Sequence, residues 1–130
     1  MGAMNKLKIS STVNEFPARL PFKKIKNDIL GQDYFLSLVF IGSKRALSLN
    51  QKLRNKSYIP NVLSIALTEN TGEIYICPAI AYKQAKDFNH SNAGHVAYLF
   101  IHGALHLKGY NHGTKMEKAE KFYCDKYKIH

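Results

Sequence analysis

The spacing of apolar residues along this chain shifts between a period of two and a period near 3.6, and each shift marks an element. Lys6 to Val13 alternates weakly and predicts a first strand. Pro21 opens a short helix through Phe22, Ile25 and Ile29, and Gly31 ends it. The run YFLSLVFIG is apolar at nearly every position, which predicts a strand buried on both faces and central in its sheet. Gly42 and Ser43 close that strand, with Ser43 as N-cap of the helix KRALSLNQKLR. Ala46, Leu49, Asn50 and Leu53 share one face of this helix, and Arg54 follows Asn50 at i+4.

NVLSIAL predicts a third strand, and GEIYICP a fourth after the turn residues Asn70 to Gly72. Pro78 stops the fourth strand, and a helix follows to about Phe88. Ser91 or Asn92 caps a long apolar helix that carries His95, His102 and His106 and ends at Gly109. A last helix runs from Thr114 to near Tyr127. The order β α β α β β α α α predicts an α/β (α+β) domain, a small mixed four-stranded sheet packed by helices.

A length of 130 residues suits one domain, read as residues 4–130, with the opening MGA taken as an expression scar. Hydrophobic and charged fractions of 45% and 22% are those of a globular chain, so disorder is not the default reading. Nineteen Lys and Arg against nine Asp and Glu leave a formal charge of +10. That excess favours a polyanionic partner, nucleic acid first and an anionic membrane face second, over a merely solvated basic surface. Cys77 and Cys124 form no CxxC pair, which suits a reducing compartment. With no signal-peptide pattern and no apolar run of membrane-spanning length, the chain reads as soluble and cytoplasmic.

The chemistry concentrates in HGALHLKGYNH, residues 102 to 112. His102 and His106, four apart on a helix, lie one above the other with Cβ atoms about 5–6 Å apart. Their nitrogens can then converge to the separation of about 3.3 Å that two bonds to tetrahedral zinc require. A histidine on an apolar helix is more often a core residue, and a pair at i, i+4 is unremarkable. His112, placed just past the glycine that breaks the helix, makes a third ligand and changes that balance. Three protein ligands with the fourth position open is the catalytic arrangement, in which one Zn²⁺ per chain activates water at neutral pH. The glutamate that follows the first histidine in HExxH peptidases is Gly103 here, which disfavours a peptidase.

The same stretch resembles the HGxLHLxGYDH motif of the YbeY family, bacterial metal-dependent endoribonucleases of rRNA maturation. LNQKLRNKSYIPNVLSIAL resembles that family's LN…R…TDVLSF block, and TGEIYICP its GDIxIC strand. MEKAE at 116–120 resembles its Met-Glu segment in the last helix. The resemblance implies a zincin-like fold with zinc on His102, His106 and His112, and Arg54 as an active-site arginine. It also implies a cleft bordered by the third strand, where Ser64 hydrogen-bonds substrate, and a family position at His95, seven residues before the first ligand. The departures are Asn111 for the motif's Asp, Glu73 for the Asp of the fourth strand, and IPN at 59–61 where TD is expected.

The expectation is therefore a zinc-dependent, single-strand-specific endoribonuclease of small-subunit rRNA, with water activated by the metal attacking a phosphodiester. A ribosomal or assembly protein is a candidate second partner, and no membrane is expected. Arg54 suits phosphoryl oxygens because its planar fork pairs with two at once, although its position alone equally suits a solvated surface arginine. His95 is either a proton relay near the metal or a core histidine bonded to a backbone carbonyl. Lysines on the first, second and last helices, Lys26 among them, supply phosphate affinity without base reading. Tyrosines such as Tyr58 and Tyr98 are stacking candidates, most of them more simply core. The alternatives are a non-catalytic, metal-containing ribosome-assembly or RNA-binding factor, and a hydrolase of another substrate.

Overall fold

In the computed structural model, which describes residues 6–130, strand β2 (Phe35–Phe40) turns Leu36, Leu38 and Phe40 fully into the core. Its parallel partners are β1 (Leu7–Ser11) on one side and β4 (Thr71–Ile76) on the other. β3 (Val62–Thr68) runs antiparallel to β4 and forms the outer edge, giving the order β1-β2-β4-β3. The predicted interior place of β2 is what the structure shows. Its predicted burial on both faces is not, because Ser37 and Val39 are only half-buried. The helix α2 (Ser43–Arg54) covers that far face in part, packing Ala46 and Leu49 over Ile41, Cys77, Val39 and Tyr75. The reading of residues 1–3 as an expression scar lies outside the described residues.

Parallel neighbours need crossovers, and helices supply them. α1 (Phe22–Leu30) buries Phe22, Ile25 and Ile29 and stops at Gly31, as its spacing predicts. α2 begins differently from the expectation. Gly42 is the extended N-cap residue, and Ser43 is already helical and makes no cap bond, its Oγ lying 3.9 Å from the Cys77 Sγ instead. α3 (Pro78–Ala85) continues into a 3-10 turn, Lys86–Phe88, so the predicted helix to Phe88 is two segments.

α4 (Asn92–Lys108) is apolar almost all round and lies between the sheet and the helices α1, α3 and α5 (Thr114–Lys126). Of the two candidate caps, Ser91 is the one used: its Oγ accepts the Gly94 N–H at 2.9 Å. The helix comes so near the sheet at Gly103 that a Cβ there would sit 2.8 Å from the Ser64 Oγ and 3.3 Å from two Ile74 carbons.

Gly103→Ala tests this contact. In an exposed helix interior the change gains up to about 1 kcal/mol. Here the overpacking should dominate, lowering unfolding stability in urea by about 1–3 kcal/mol. Ser64→Ala should recover part of that loss in the double variant.

Candidate metal centre

The Gly109 turn positions two of the three histidines of the motif. Gly109 takes the left-handed conformation (φ 112°) that a side chain would resist, and its N–H bonds the His106 carbonyl at 3.0 Å. The next N–H, of Tyr110, bonds the Leu105 carbonyl at 3.0 Å, which completes a Schellman-type stop. The freed Tyr110 carbonyl then accepts a hydrogen bond from the His106 Nδ1 at 3.1 Å. The turn that ends the helix therefore orients one histidine of the cluster and returns the chain so that His112 joins it.

One potential ligand nitrogen from each of His102, His106 and His112 lies within 4.8 Å of the others, and their rings meet at steep angles, 84° between His102 and His106 and 73° between His106 and His112. The Nε2 atoms of His102 and His106 are 3.1 Å apart. Both Nδ1 protons are already engaged, one by the Tyr110 carbonyl and the other by Glu120, whose Oε2 accepts from the His102 Nδ1. Each Nε2 therefore presents a lone pair toward the other, an arrangement that repels unless a cation sits between them. The donor set and its spacing fit a zinc-sized ion, for which tetrahedral bonds of about 2.05 Å place neighbouring nitrogens about 3.3 Å apart. Burial lowers the His106 pKa below its ordinary value, and the neighbouring His102 adds to the effect. Both causes favour the neutral ring that ligation needs.

These histidines share a cleft of about 410 Å³ with Arg54, Tyr58, Asn61 and Ser64. A wider, more open hollow under the 108–115 turn has only His112 in common with it. Arg54 is the last residue of α2, is exposed, and has no ion-pair partner among the described residues. Ser64 reaches the cleft, but its hydroxyl donates to the Gly103 carbonyl at 3.1 Å. Asn61, in the IPN segment that stands where TD is expected, donates to the Gln84 side chain at 2.9 Å and accepts from the Val62 N–H at 2.7 Å. No carboxylate among the described residues lines the cleft.

His95 is not brought to the three-histidine cluster. Seven helical residues carry it about 10 Å along the axis from His102. Tyr98 stacks on it from the His102 side, with ring centroids 5.6 Å from His95 and 6.4 Å from His102. The His95 ring is fully buried, its Nδ1 is 3.0 Å from the His90 Nδ1, and its Nε2 has no hydrogen-bond partner among the described residues. Desolvation, with His90 adding to it, pushes its pKa down to about 4, so it is neutral at physiological pH. Its closest companions are Phe88, His90 and Tyr98, not the cleft.

The residue at the site to which sequence reasoning gave no role is Glu120, although it lies in the MEKAE segment that carries part of the resemblance. The signal was present: Met116, Glu120 and Cys124 recur every four residues on one face of α5, with an acid in an otherwise apolar stripe. Only the tertiary structure shows that this acid meets His102. Burial and then the Glu120 charge push the Tyr98 hydroxyl up to about 12, so it stays protonated beside that carboxylate. Asn111 is exposed and has no hydrogen-bond partner among the described residues. Glu73 alternates with the core-facing Gly72 and Ile74, which puts it on the far face of β4 from the cleft.

Glu120→Gln keeps the shape and removes the charge behind His102. Zinc affinity measured by chelator competition should fall roughly 10- to 100-fold with the circular dichroism unchanged. His95 yields a pH prediction. Its folded pKa lies below the unfolded value of about 6.5, so the unfolded chain binds the extra proton and stability falls as pH drops from 6.5 toward 4. The loss attributable to this ring between pH 8 and pH 5 is about 2 kcal/mol, and the stability of a His95→Gln variant in urea should depend less steeply on pH over that range.

Comparison with known proteins points to one family. The model of one protein family, described as "Endoribonuclease YbeY", matches residues 4–128. A Spiroplasma citri protein named Endoribonuclease YbeY is 36% identical over 115 residues, covering 78% of this chain and 73% of its own length. The protein of the same name from Polaromonas naphthalenivorans is 31% identical, covering 92% and 87%. Among solved structures, the solution structure of TM1509 from Thermotoga maritima aligns with a TM-score of 0.68 at 26% identity, covering 93% of this chain and 88% of that one.

Proposed function

The chain belongs to the YbeY endoribonuclease family, and from that premise we propose that it is a zinc-dependent, single-strand-specific endoribonuclease acting on rRNA of the small ribosomal subunit in the cytoplasm. The observation that carries the reading is the cleft itself: three convergent histidines and one unpaired arginine, with no carboxylate among the lining residues. Such a wall suits an anionic phosphodiester. It does not suit peptide hydrolysis, which in the HExxH enzymes uses a glutamate at the position of Gly103. Here that position faces β3 and has no room for a side chain.

Zinc, when bound, would supply an activated water and polarise a phosphoryl oxygen. The chain's own residues do the rest. The Glu120 carboxylate holds the His102 Nδ1 proton and the Tyr110 carbonyl holds that of His106, so both rings keep the tautomer that presents Nε2. Arg54 places a planar fork at the cleft wall, suited to two non-bridging oxygens as negative charge builds on them. Ser64 fixes the third strand against α4 and offers only a lone pair to a substrate. His95, buried behind Tyr98, belongs to the helix packing and transfers no proton in this scheme. The basic surface draws RNA in without reading its bases. Lys26 takes no part, since it is buried and donates to the Gln32 carbonyl at 3.2 Å.

Metal content and RNA cleavage, measured together on wild type, His106→Ala and Arg54→Lys, test the proposal. Wild type should hold about one zinc per chain. His106→Ala should lose the metal and cleavage while its circular dichroism stays native. Arg54→Lys should keep the metal and lose roughly 10- to 100-fold in kcat/KM, because an ammonium has no planar fork to meet two oxygens with parallel hydrogen bonds. A metal-loaded wild type that binds small-subunit rRNA but never cleaves it would favour a non-catalytic assembly factor instead.

A further inference from the structure

The eight tyrosines divide sharply. Tyr34 is buried, and Tyr75, Tyr82, Tyr98, Tyr110, Tyr123 and Tyr127 pack against the hydrophobic clusters. Tyr58 alone is exposed, at 52%, and it lines the metal cleft beside Arg54. The other exposed aromatic rings, Phe35, Phe88 and Phe122, lie outside that cleft.

The backbone under Tyr58 is held from below. Asn50, fully buried in α2, donates its Nδ2 to the Tyr58 carbonyl at 2.9 Å, and its own carbonyl accepts the Lys56 N–H at 3.2 Å. Asn55, left-handed at φ 54°, ends the helix between them, and the buried Pro60 follows. An exposed ring on a backbone tied at two points is pre-organised, so little ordering cost opposes a contact made by its face. A solvated loop tyrosine would need no such anchoring. The surrounding charge is positive: Lys52, Arg54 and Lys56 are all exposed at this end of α2.

Resting on the endoribonuclease reading, we propose that Tyr58 is the platform on which an unpaired base of the RNA stacks while the adjoining phosphate lies against Arg54 and the histidines. A base held in a duplex has no free face for the ring, so the contact selects single strands at the cleft wall. Stacking on an aromatic side chain is tolerant of base identity, which fits a cleft with few groups placed to read base edges.

The test uses the full chain and a fluorescein-labelled ten-nucleotide RNA, with binding followed by anisotropy after rapid mixing, before turnover. A second oligomer of equal length and charge has abasic sugars at its central positions. Tyr58→Leu should weaken binding of the first about 10-fold and barely affect the second, whereas Tyr58→Phe should match wild type on both. Cleavage of the unmodified RNA, run beside it, should show Tyr58→Leu raising KM more than it lowers kcat. Equal losses on both oligomers, or none, would overturn the platform even if the wild type cleaves RNA. Tyr58-dependent, base-dependent binding by a wild type that never cleaves would support the platform while removing the nuclease reading. A wild type that neither binds nor cleaves would remove both.

Discussion

The approach of α4 to the sheet at Gly103 sets the positions on which the rest depends. Ile74 carbons and the Ser64 hydroxyl stand where a side chain would be, so the helix backbone lies nearly against β3 and β4. The rest of the helix is filled to match: Val96, Ala97, Leu99, Phe100, Ile101, Ala104 and Leu105 are all buried. What remains uncovered in its C-terminal half is the stripe that bears His102 and His106. The third strand borders that stripe at a separation that leaves a cleft and no more. A bulkier residue at 103 would push the helix out and widen the distance from the histidines to Asn61, Ser64 and, beyond them, Arg54. The place where HExxH peptidases keep their base is here a packing contact.

A second constraint follows from the first. With both Nδ1 atoms of His102 and His106 committed, the two Nε2 lone pairs face one another at 3.1 Å in a part-buried setting. The fold thus builds a local repulsion, and a bound cation relieves it. Groups held in unfavourable arrangements persist where the surrounding structure over-determines them. Here that surrounding is the Gly109 stop on one side and α5, through Glu120, on the other. Metal binding then stabilises the native state by mass action, because the unfolded chain offers no such convergent set.

Much of this was legible in the sequence because it depends on short-range rules. The stops at Gly31 and Gly109, the Ser91 cap and the interior place of β2 each follow from residue types within a few positions of one another. The three histidines were legible for the same reason: i, i+4 spacing and a turn are local facts. What was not legible is tertiary. Helical phase says that His95 points the same way as His102, but not that Tyr98 and Phe88 close over it. Ser43 is a good cap residue that Gly42 displaces because the chain enters α2 one residue earlier. Lys26 carries the charge of a surface lysine on the buried stripe of α1, where a carbonyl at the end of the helix captures its amine. Glu120 lies 18 residues from His102 in sequence, and only the return of α5 across α4 brings the two together.

That return also bears on Asn111, which replaces an acid in the motif this chain otherwise follows. An amide at 111 would matter most if the missing carboxylate were needed to orient a ligand. The structure supplies the orientation from elsewhere: Glu120 engages His102, the Tyr110 carbonyl engages His106, and Asn111 stands exposed in the turn. Residue 111 lines the neighbouring hollow rather than the cleft wall, so an amide there removes a negative charge beside His112 while the wall itself keeps Arg54 and, among the described residues, no carboxylate. For a cationic or neutral substrate that would be a loss. For a phosphodiester it deepens the positive potential where the substrate must sit, so the substitution that looks most damaging on paper acts in the direction that RNA binding requires.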